Sequence, residues 1–202
     1  MWVVLSETGI RQSTLHAFDL DDYDAEERYI AAVNREETGT RLKNGYDGER
    51  EISISKDAAR AIDGYIEANR NSVTDEHGRE PLLTTRNGRL QKSTIRQYVY
   101  AWSRPCAIGR ECPHDRDPDD CEAANNEARA ARCPSSVTPH PIRRGYITQL
   151  LRAGVPVEVV SDRCNVSPTI IDQHYDVRSK EDKMKQRQEA LDDVDGHGSS
   201  YT

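Results

Sequence analysis

Long apolar runs are missing from this sequence. Hydrophobic residues make up 35% of its 202 positions, and no run approaches the roughly 18 residues that a membrane-spanning helix needs. The first residues, Met1 to Glu7, also lack the basic segment that opens a secretory signal. We therefore exclude a membrane protein and a membrane partner, and we expect a cytoplasmic protein.

Lysine and phenylalanine are scarce. The chain has one Phe, and only six of its 28 basic residues are lysines, whereas 35 acidic residues give it a net charge of −7. Such a balance ordinarily argues against nucleic acid as a partner. However, an acidic, lysine-poor composition resembles that of halophilic archaeal proteins, for which net charge says little about the partner. We expect the acidic clusters at 19–27 and 115–120 to lie on solvated faces.

The apolar spacing predicts an α+β fold that is mostly helical, with a small antiparallel sheet. Residues 2–18 fit two short helices separated by a Thr-Gly turn. Strand-like segments at 28–35 and 50–55 flank Asn-Gly and Asp-Gly signals, which indicate a hairpin. Residues 103–138 are expected to be irregular and 192–202 to form a disordered tail. Further helices are predicted at 56–70, 93–102, 141–153, 155–164, 167–175 and 179–191.

Five polar residues stand at the ends of predicted elements. Arg11 follows a Thr-Gly turn, Lys43 lies in the predicted hairpin turn, and Tyr175 closes a short helix. His140 and Arg143 are spaced i and i+3 at a helix start, so they share one face. Guanidinium groups can hold phosphate oxygens, an ammonium or imidazolium can protonate a leaving oxygen, and a phenol can act as the nucleophile. These residue types suit phosphodiester transfer without a metal.

Each of these residues also has a purely structural explanation. Arg11 could be solvated at a helix end, and Lys43 could simply make a turn soluble. His140 could cap a helix, and Tyr175 could fill a core with its hydroxyl satisfied. The polar neighbours of Tyr175, His174 and Asp176, suit an exposed phenol better than a core residue. The Thr-Gly-x-Arg context of Arg11 and the His-x-x-Arg spacing of His140 and Arg143 favour catalysis.

Three segments resemble motifs of the phage-integrase family of tyrosine recombinases. Thr8-Gly-Ile-Arg11 is similar to the first arginine motif of the family. Thr138-Pro-His-Pro-Ile-Arg-Arg-Gly-Tyr146 is similar to its His-x-x-Arg box, and Ser167-Pro-Thr-Ile-Ile-Asp-Gln-His-Tyr175 to its nucleophile segment. Lys43 matches the lysine of the family's β-hairpin. The resemblance implies a tyrosine-recombinase catalytic domain over residues 1–178.

The resemblance also implies a reaction and a role for each residue. Tyr175 would attack the scissile phosphate, which gives a 3′-phosphotyrosyl link and a free 5′-hydroxyl. Arg11 and Arg143 would clamp the phosphate, Lys43 would protonate the leaving oxygen, and His140 would assist proton transfer. No cofactor would be needed for catalysis. The partner would be double-stranded DNA bound by a homo-tetramer, with the helix at 179–191 docked on a neighbouring subunit. The composition and the resemblance together suggest an integrase of a haloarchaeon, of a provirus it carries, or of one of its viruses or plasmids.

The sequence departs from the family pattern at two places. The family has a His or Trp shortly before the tyrosine, where this chain has Cys164, Asn165 and Val166. Asn165 can donate a hydrogen bond to phosphate but cannot act as an acid, so we expect a reduced rate. The chain also opens almost directly at the first arginine motif, so we expect the family's N-terminal DNA-clamping domain to be missing.

A cysteine-rich insertion at about 104–135 is a further departure. It holds four of the five cysteines in a segment with few apolar residues. In an intracellular protein such clustering favours a metal over disulfides, and a tetrahedral set of thiolates suits zinc. We predict structural zinc, with His114 as an alternative ligand, held by Cys106, Cys112, Cys121 and Cys133.

Other functions stay open at this point. Residues 155–175 also fit a helix-turn-helix, which would make the chain a non-catalytic DNA-binding regulator. A type IB topoisomerase would share the chemistry, and a truncated integrase fragment would be inactive. The pair of distant arginine motifs favours the recombinase, because a regulator has no need of them.

Overall fold

The computed structural model describes residues 1–176 and 178–198. The chain divides into two compact units, Met1–Tyr146 and the residues from Ile147 onward. Helices dominate and the sheets are small and antiparallel, so the predicted α+β class is confirmed. No helix in the described ranges is long and apolar enough to cross a membrane.

The first unit contains most of the elements. Its helices are α1 (Trp2–Thr8), α2 (Gln12–Ala17), α3 (Lys56–Ala68), α4 (Lys92–Trp102), α5 (Glu122–Asn125) and the first half of α6 (Pro139–Arg152). Its strands are β1 (Tyr23–Asp24), β2 (Tyr29–Ala32), β3 (Arg50–Ser53), β4 (Thr84–Thr85) and β5 (Gly88–Arg89).

Strand β2 is the centre of a three-stranded antiparallel sheet. Ile30 of β2 lies opposite Ile52 of β3, and both are buried on the same face. Strand alternation therefore directs one face of the sheet into the core. Helix α3 begins shortly after the end of β3. The Ser55 hydroxyl accepts the Ala58 N–H at 3.1 Å and so caps the first turn of α3.

The connection between β2 and β3 is longer and less regular than the predicted hairpin turn. It contains two 3₁₀ turns, Glu36–Thr38 and Gly45–Gly48. Asn34 explains the departure, because its side-chain oxygen accepts the Leu42 N–H at 3.0 Å and folds the loop back on itself. The Asn-Gly signal marks the start of the second 3₁₀ turn rather than a tight hairpin.

Two aspartates of the first acidic cluster are buried, so the prediction of a solvated face is wrong for them. Arg89 Nη2 lies 2.5 Å from Asp19 Oδ1, and Arg35 Nη2 lies 2.5 Å from Asp22 Oδ1. Each carboxylate is neutralised by an arginine, which makes its burial tolerable. The second acidic cluster is exposed, as expected.

The second unit is built from helices. It holds the end of α6, then α7 (Val157–Cys164), α8 (Pro168–His174) and α9 (Lys180–Gly198). Its buried apolar residues include Ile147, Leu151, Val160 and Ile171.

Helix α9 continues beyond its predicted end at Leu191 and runs to Gly198, and the disordered tail over 192–202 stays a prediction. Gln188 Nε2 donates to Asp192 Oδ1 at 2.9 Å, an i to i+4 pair that supports the helix past Leu191. Once a helix is nucleated, each added residue gains a backbone hydrogen bond, so a sequence of low propensity can extend it. Residues 199–202 of the predicted tail lie outside the described residues.

Candidate active site

The turn between α1 and α2 places Arg11. Gly9 ends α1 with left-handed backbone, φ 59°, and its N–H donates to Leu5 O at 3.1 Å. A β-carbon on Gly9 would clash with the ring of Tyr146, so both the φ angle and the close approach require glycine. Arg11 follows in extended backbone as the N-cap residue of α2, and it is half-buried.

Arg143 reaches the same turn from α6. Its side chain is 4% exposed, and its Nη1 donates to Gly9 O at 2.6 Å. Its Nη2 is also buried and has no hydrogen-bond partner. The two arginine motifs, which are far apart in sequence, therefore meet at one turn.

The surroundings of Arg143 are electrostatically incomplete. Among the described residues, its hydrogen bond is to a neutral carbonyl and no carboxylate pairs with it. A buried guanidinium without a counter-charge is unfavourable by several kcal/mol. An anion that accepted a hydrogen bond from Nη2 would remove most of this cost, which makes the turn suited to a phosphate.

His140 and Lys43 lie at the surface of the same unit. His140 is in the first turn of α6, one turn before Arg143, and it is exposed. Lys43 is exposed directly after Leu42, which is buried and anchors that point of the loop. Within the described part of the chain Lys43 makes no hydrogen bond or ion pair, so its ammonium is free to turn.

Tyr175 belongs to the second unit, where it ends α8. Its N–H donates to Ile171 O at 2.9 Å, and its carbonyl accepts from Thr148 Oγ1 at 3.3 Å. The side chain is only 6% exposed. The polar neighbours of Tyr175 favoured an exposed phenol, and this expectation is wrong. The buried position means that the phenol has to become accessible before it can react with a large substrate.

The residue after the tyrosine anchors a cluster of charges that the sequence analysis missed. Asp176 accepts from Arg178 Nε and Nη2, both at 2.8 Å, and Lys183 Nζ of α9 lies 3.0 Å from Asp176 Oδ2. The Arg178 hydrogen bonds hold the pKa of the Asp176 carboxyl well below its usual range, with a further contribution from Lys183. The Asp-x-Arg spacing directly after Tyr175 was the available signal. This cluster ties the nucleophile segment to the start of α9.

The backbone conformation explains why an asparagine stands at position 165. It ends α7 with left-handed backbone, φ 49° and ψ 61°, and its N–H donates to Asp162 O at 3.0 Å. Asparagine adopts this conformation more readily than other non-glycine residues. Its neighbours Cys164 and Val166 are buried, whereas Asn165 is half-buried. That Asn165 takes the place of the family's His or Trp at the phosphate stays a prediction.

The comparisons with known proteins decide the family. The sequence model of the phage integrase family matches residues 1–180. The chain belongs to the phage integrase family. Among curated proteins, none matches the sequence.

Solved integrases and recombinases share the fold of this family member. XerA recombinase matches with a TM-score of 0.58 at 19% identity, over 93% of this chain and 56% of that chain. The Tn1549 transposon integrase in complex with circular intermediate DNA matches with a TM-score of 0.64 at 19% identity, over 94% and 58%. The same integrase with transposon right end DNA gives 0.63 at 16% identity, over 93% and 56%. This phage integrase family member therefore spans somewhat more than half the length of these structures.

The cysteine-rich insertion of this integrase family member folds into short turns on either side of α5. A small cavity of about 10 Å³ is lined by four cysteines and His114. All four thiols are free and half-buried. Among the described residues, no three His, Cys, Asp or Glu side chains are placed to hold a metal ion as they stand. The cysteines are Cys106, Cys112, Cys121 and Cys133, and their assignment as zinc ligands stays a prediction.

Proposed function

We propose that this chain carries the catalytic machinery of a site-specific DNA recombinase, which cleaves and rejoins strands through a covalent link to Tyr175. The observation that carries the proposal is the buried Arg143 guanidinium, held at the Gly9 turn beside Arg11 with one donor unused. This arrangement supports the binding of an anionic phosphate oxygen. Membership of the phage integrase family supports the reaction class.

In the proposed reaction, the Tyr175 phenol releases its proton to solvent and its oxygen attacks the scissile phosphorus. The bond from phosphorus to the 5′-oxygen breaks, and a 3′-phosphotyrosyl bond forms. Lys43 donates the proton that the leaving 5′-oxygen requires, and His140 assists proton transfer. Arg11 and Arg143 stabilise the charge that develops on the non-bridging oxygens. Rejoining runs the same steps in reverse on a new 5′-hydroxyl, so no metal or nucleotide is consumed.

Covalent trapping tests the proposal. The protein is incubated with nicked suicide duplexes from an attachment-site pool, and a DNA adduct that protease removes is sought. Tyr175→Phe should abolish the adduct, whereas the matched control Tyr100→Phe, a half-buried tyrosine of α4, should retain it. DNA binding that survives Tyr175→Phe, with no adduct in the unmodified protein, would instead favour the helix-turn-helix regulator or an inactive fragment. Relaxation of supercoiled DNA without strand exchange would favour the topoisomerase.

The role of Lys43 can be separated from simple phosphate binding. Replacing the bridging 5′-oxygen of the substrate by sulfur gives a leaving group that needs no protonation. Lys43→Ala should cleave the normal substrate slowly and the sulfur substrate at close to the unmodified rate. If both substrates lose rate equally, Lys43 is not the general acid. Arg41→Ala, an exposed cation of the same loop, is the matched control.

We also propose that four copies act together on DNA and that α9 docks on a neighbouring copy. Met184 and Leu191 support this, because both are exposed and they lie seven positions apart, which places them on one helix face. Met184→Gln with Leu191→Gln should leave the monomer folded and weaken the tetramer on DNA, as measured by light scattering. Lys185→Gln with Glu189→Gln is the control on the same helix.

The composition supports a finer proposal about the setting, namely the salt-rich cytoplasm of a haloarchaeon that carries a provirus. The exposed acidic cluster at 115–120 and the six lysines fit such a surface. Thermal unfolding in molar KCl should then occur at a markedly higher temperature than in dilute buffer. Equal stability in both would argue against it.

A further inference from the structure

The insertion between α4 and α6 has almost no apolar core of its own. From residue 105 to residue 137 the buried apolar side chains are Ala123 and Ala130. Fixing one residue's backbone costs about 1–2 kcal/mol, and two alanine methyl groups offset little of that. At the C-terminal end of the insertion, the Val137 N–H donates to Ser103 Oγ at 2.9 Å and ties that end to the residue after α4. The ion pairs of Glu122 with Arg129 and Arg132 are exposed and contribute little. A cross-link among the cysteines would therefore stabilise the segment more than these polar contacts do.

The four cysteines of the insertion converge on one small cavity. They are spread over the insertion in sequence, yet all of them line the same cavity, which has a volume of about 10 Å³. That is room for about one water-sized atom. All four thiols are free, so no disulfide links them across the cavity. The fifth cysteine, Cys164, is buried in the second unit.

An unpaired positive charge lies at the wall of this cavity. Arg104 lines it, is 7% exposed, and donates from Nε to Ala101 O at 2.8 Å. Among the described residues its Nη1 is buried without a hydrogen-bond partner. Arg116 lines the same cavity. A buried guanidinium of this kind requires nearby negative charge, which cysteines supply when they bind a metal as thiolates.

We propose that the insertion is a structural zinc module in which Cys106, Cys112, Cys121 and Cys133 bind one Zn²⁺. Four thiolates around Zn²⁺ carry a net charge of −2, which matches the two arginines that line the cavity. Two disulfides could also cross-link the insertion, but they are neutral and would leave Arg104 uncompensated.

Binding requires the thiols to move. No three metal-binding side chains of the described residues are placed for an ion as they stand, so the four thiols must come together on a common centre. His114 is assigned outside the ligand set, because four cysteines already complete a tetrahedral site and its Nε2 lies 2.8 Å from Ser135 Oγ. Because the insertion leads directly into α6, the zinc would fix the start of the helix that carries His140.

The metal content of the full-length protein is the first test. Purified without chelators, it should hold one zinc per chain, and denaturation in chelator should release the metal and expose five thiols. A purified chain that holds no metal would overturn the proposal, and the number of free thiols would then show what the cysteines do. One free thiol would then indicate two disulfides, and five would indicate an insertion without a cross-link.

Cobalt substitution tests the ligand set without relying on variants. Exchange for Co²⁺ should give the intense visible absorption and sulfur charge-transfer bands of a tetrahedral tetrathiolate. A spectrum typical of three thiolates and one imidazole, altered by His114→Ala, would overturn the assignment of four cysteines. An octahedral spectrum would overturn the site.

Single substitutions complete the test. Cys112→Ser or Cys121→Ser should reduce bound zinc at least tenfold and make unfolding insensitive to chelator. The matched control Cys164→Ala should keep one zinc per chain, as should His114→Ala. Loss of zinc from the Cys164 variant equal to that from the others would refute the ligand set. These readouts do not involve DNA, so they stand or fall independently of the recombinase proposal.

Discussion

Replacing Arg143 by methionine is expected to stabilise the free protein while removing its activity on DNA. Arg143 is 4% exposed, and within the part of the chain that the structure describes its one hydrogen bond runs to the Gly9 carbonyl at 2.6 Å. A hydrogen bond from a charged donor is worth about 1.5–3 kcal/mol, whereas burial of an uncompensated charge costs several kcal/mol. Methionine has a similar length and no charge, so the larger, unfavourable contribution disappears. A net gain of about 1 kcal/mol would raise Tm by about 2–4 °C for a chain of this size.

The functional loss should be large in the same variant. In the proposed function Arg143 supplies a preorganised donor for a phosphate oxygen, and removal of one such donor lowers a catalytic rate by about 10²–10³-fold. Inorganic phosphate should also stabilise the unmodified protein, by about 2.7 kcal/mol at a hundredfold excess over its Kd. Arg143→Met should lose this stabilisation, because the anion no longer has its partner.

The assay combines thermal unfolding by circular dichroism, with and without phosphate, and the trapping of covalent adducts. Arg144→Met is the matched control, since Arg144 is the adjacent position of α6 and is exposed. It should change stability by less than about 0.5 kcal/mol and keep the response to phosphate. The reasoning is refuted if Arg143→Met lowers Tm by more than about 4 °C and retains the phosphate response. That result would make the arginine a structural residue and place the anion elsewhere.

Two further substitutions test the supports of the site. Gly9→Ala should destabilise the fold by about 1–3 kcal/mol and slow adduct formation, because its β-carbon meets Tyr146 at a positive φ. Gly39→Ala, at a φ of 77° with nothing within 4 Å, isolates the cost of φ alone and should be milder in urea unfolding. For Asp176, the pKa of the folded state is lowered by its hydrogen bonds from Arg178, so the carboxylate stabilises the fold above its unfolded pKa of about 3.9 and loses this effect as the pH falls below it. Asp176→Asn should therefore be less stable at pH 7 and show a flatter decline of unfolding free energy below about pH 4; an unchanged acid slope would show that the cluster contributes nothing.

The sequence allowed the helices and their order to be predicted because their signals are local. Ser55 as a cap before α3, and the apolar spacing through Ile95 and Val99 of α4, can be read within a few residues. The hairpin of β4 and β5 was missed for the opposite reason. Its strands have two residues each, too few for alternation to show, although an Asn-Gly pair lies at their turn.

Burial was the property that local patterns failed to predict. Asp19 was expected on a solvated face because its neighbours are acidic, but an arginine seventy positions later pairs with it. Tyr175 was expected at the surface because its neighbours are polar, but it is buried. The burial of Asp19 depends on a partner that is distant in sequence, and the burial of Tyr175 depends on tertiary packing. A short window of sequence contains neither. The sequence motifs identified Arg143, whereas the lack of a hydrogen-bond acceptor for its Nη2 among the described residues could be found only from the structure.

These two buried groups point to one property of the free protein. Among the described residues nothing accepts a hydrogen bond from Arg143 Nη2, and the Tyr175 side chain is buried. In the proposed function a phosphodiester would supply the missing acceptor for Arg143, so part of the cost of burying the guanidinium would be recovered when DNA binds. Donors fixed in advance need little reorganisation at the moment of reaction, which is why such an arrangement favours the transition state over the free enzyme. The tyrosine has the opposite requirement, since the proposed role as nucleophile requires its buried phenol to become accessible. The proposed reaction therefore requires movement of the Tyr175 segment, which the Asp176 cluster ties to α9, whereas the Arg143 donor is already in place.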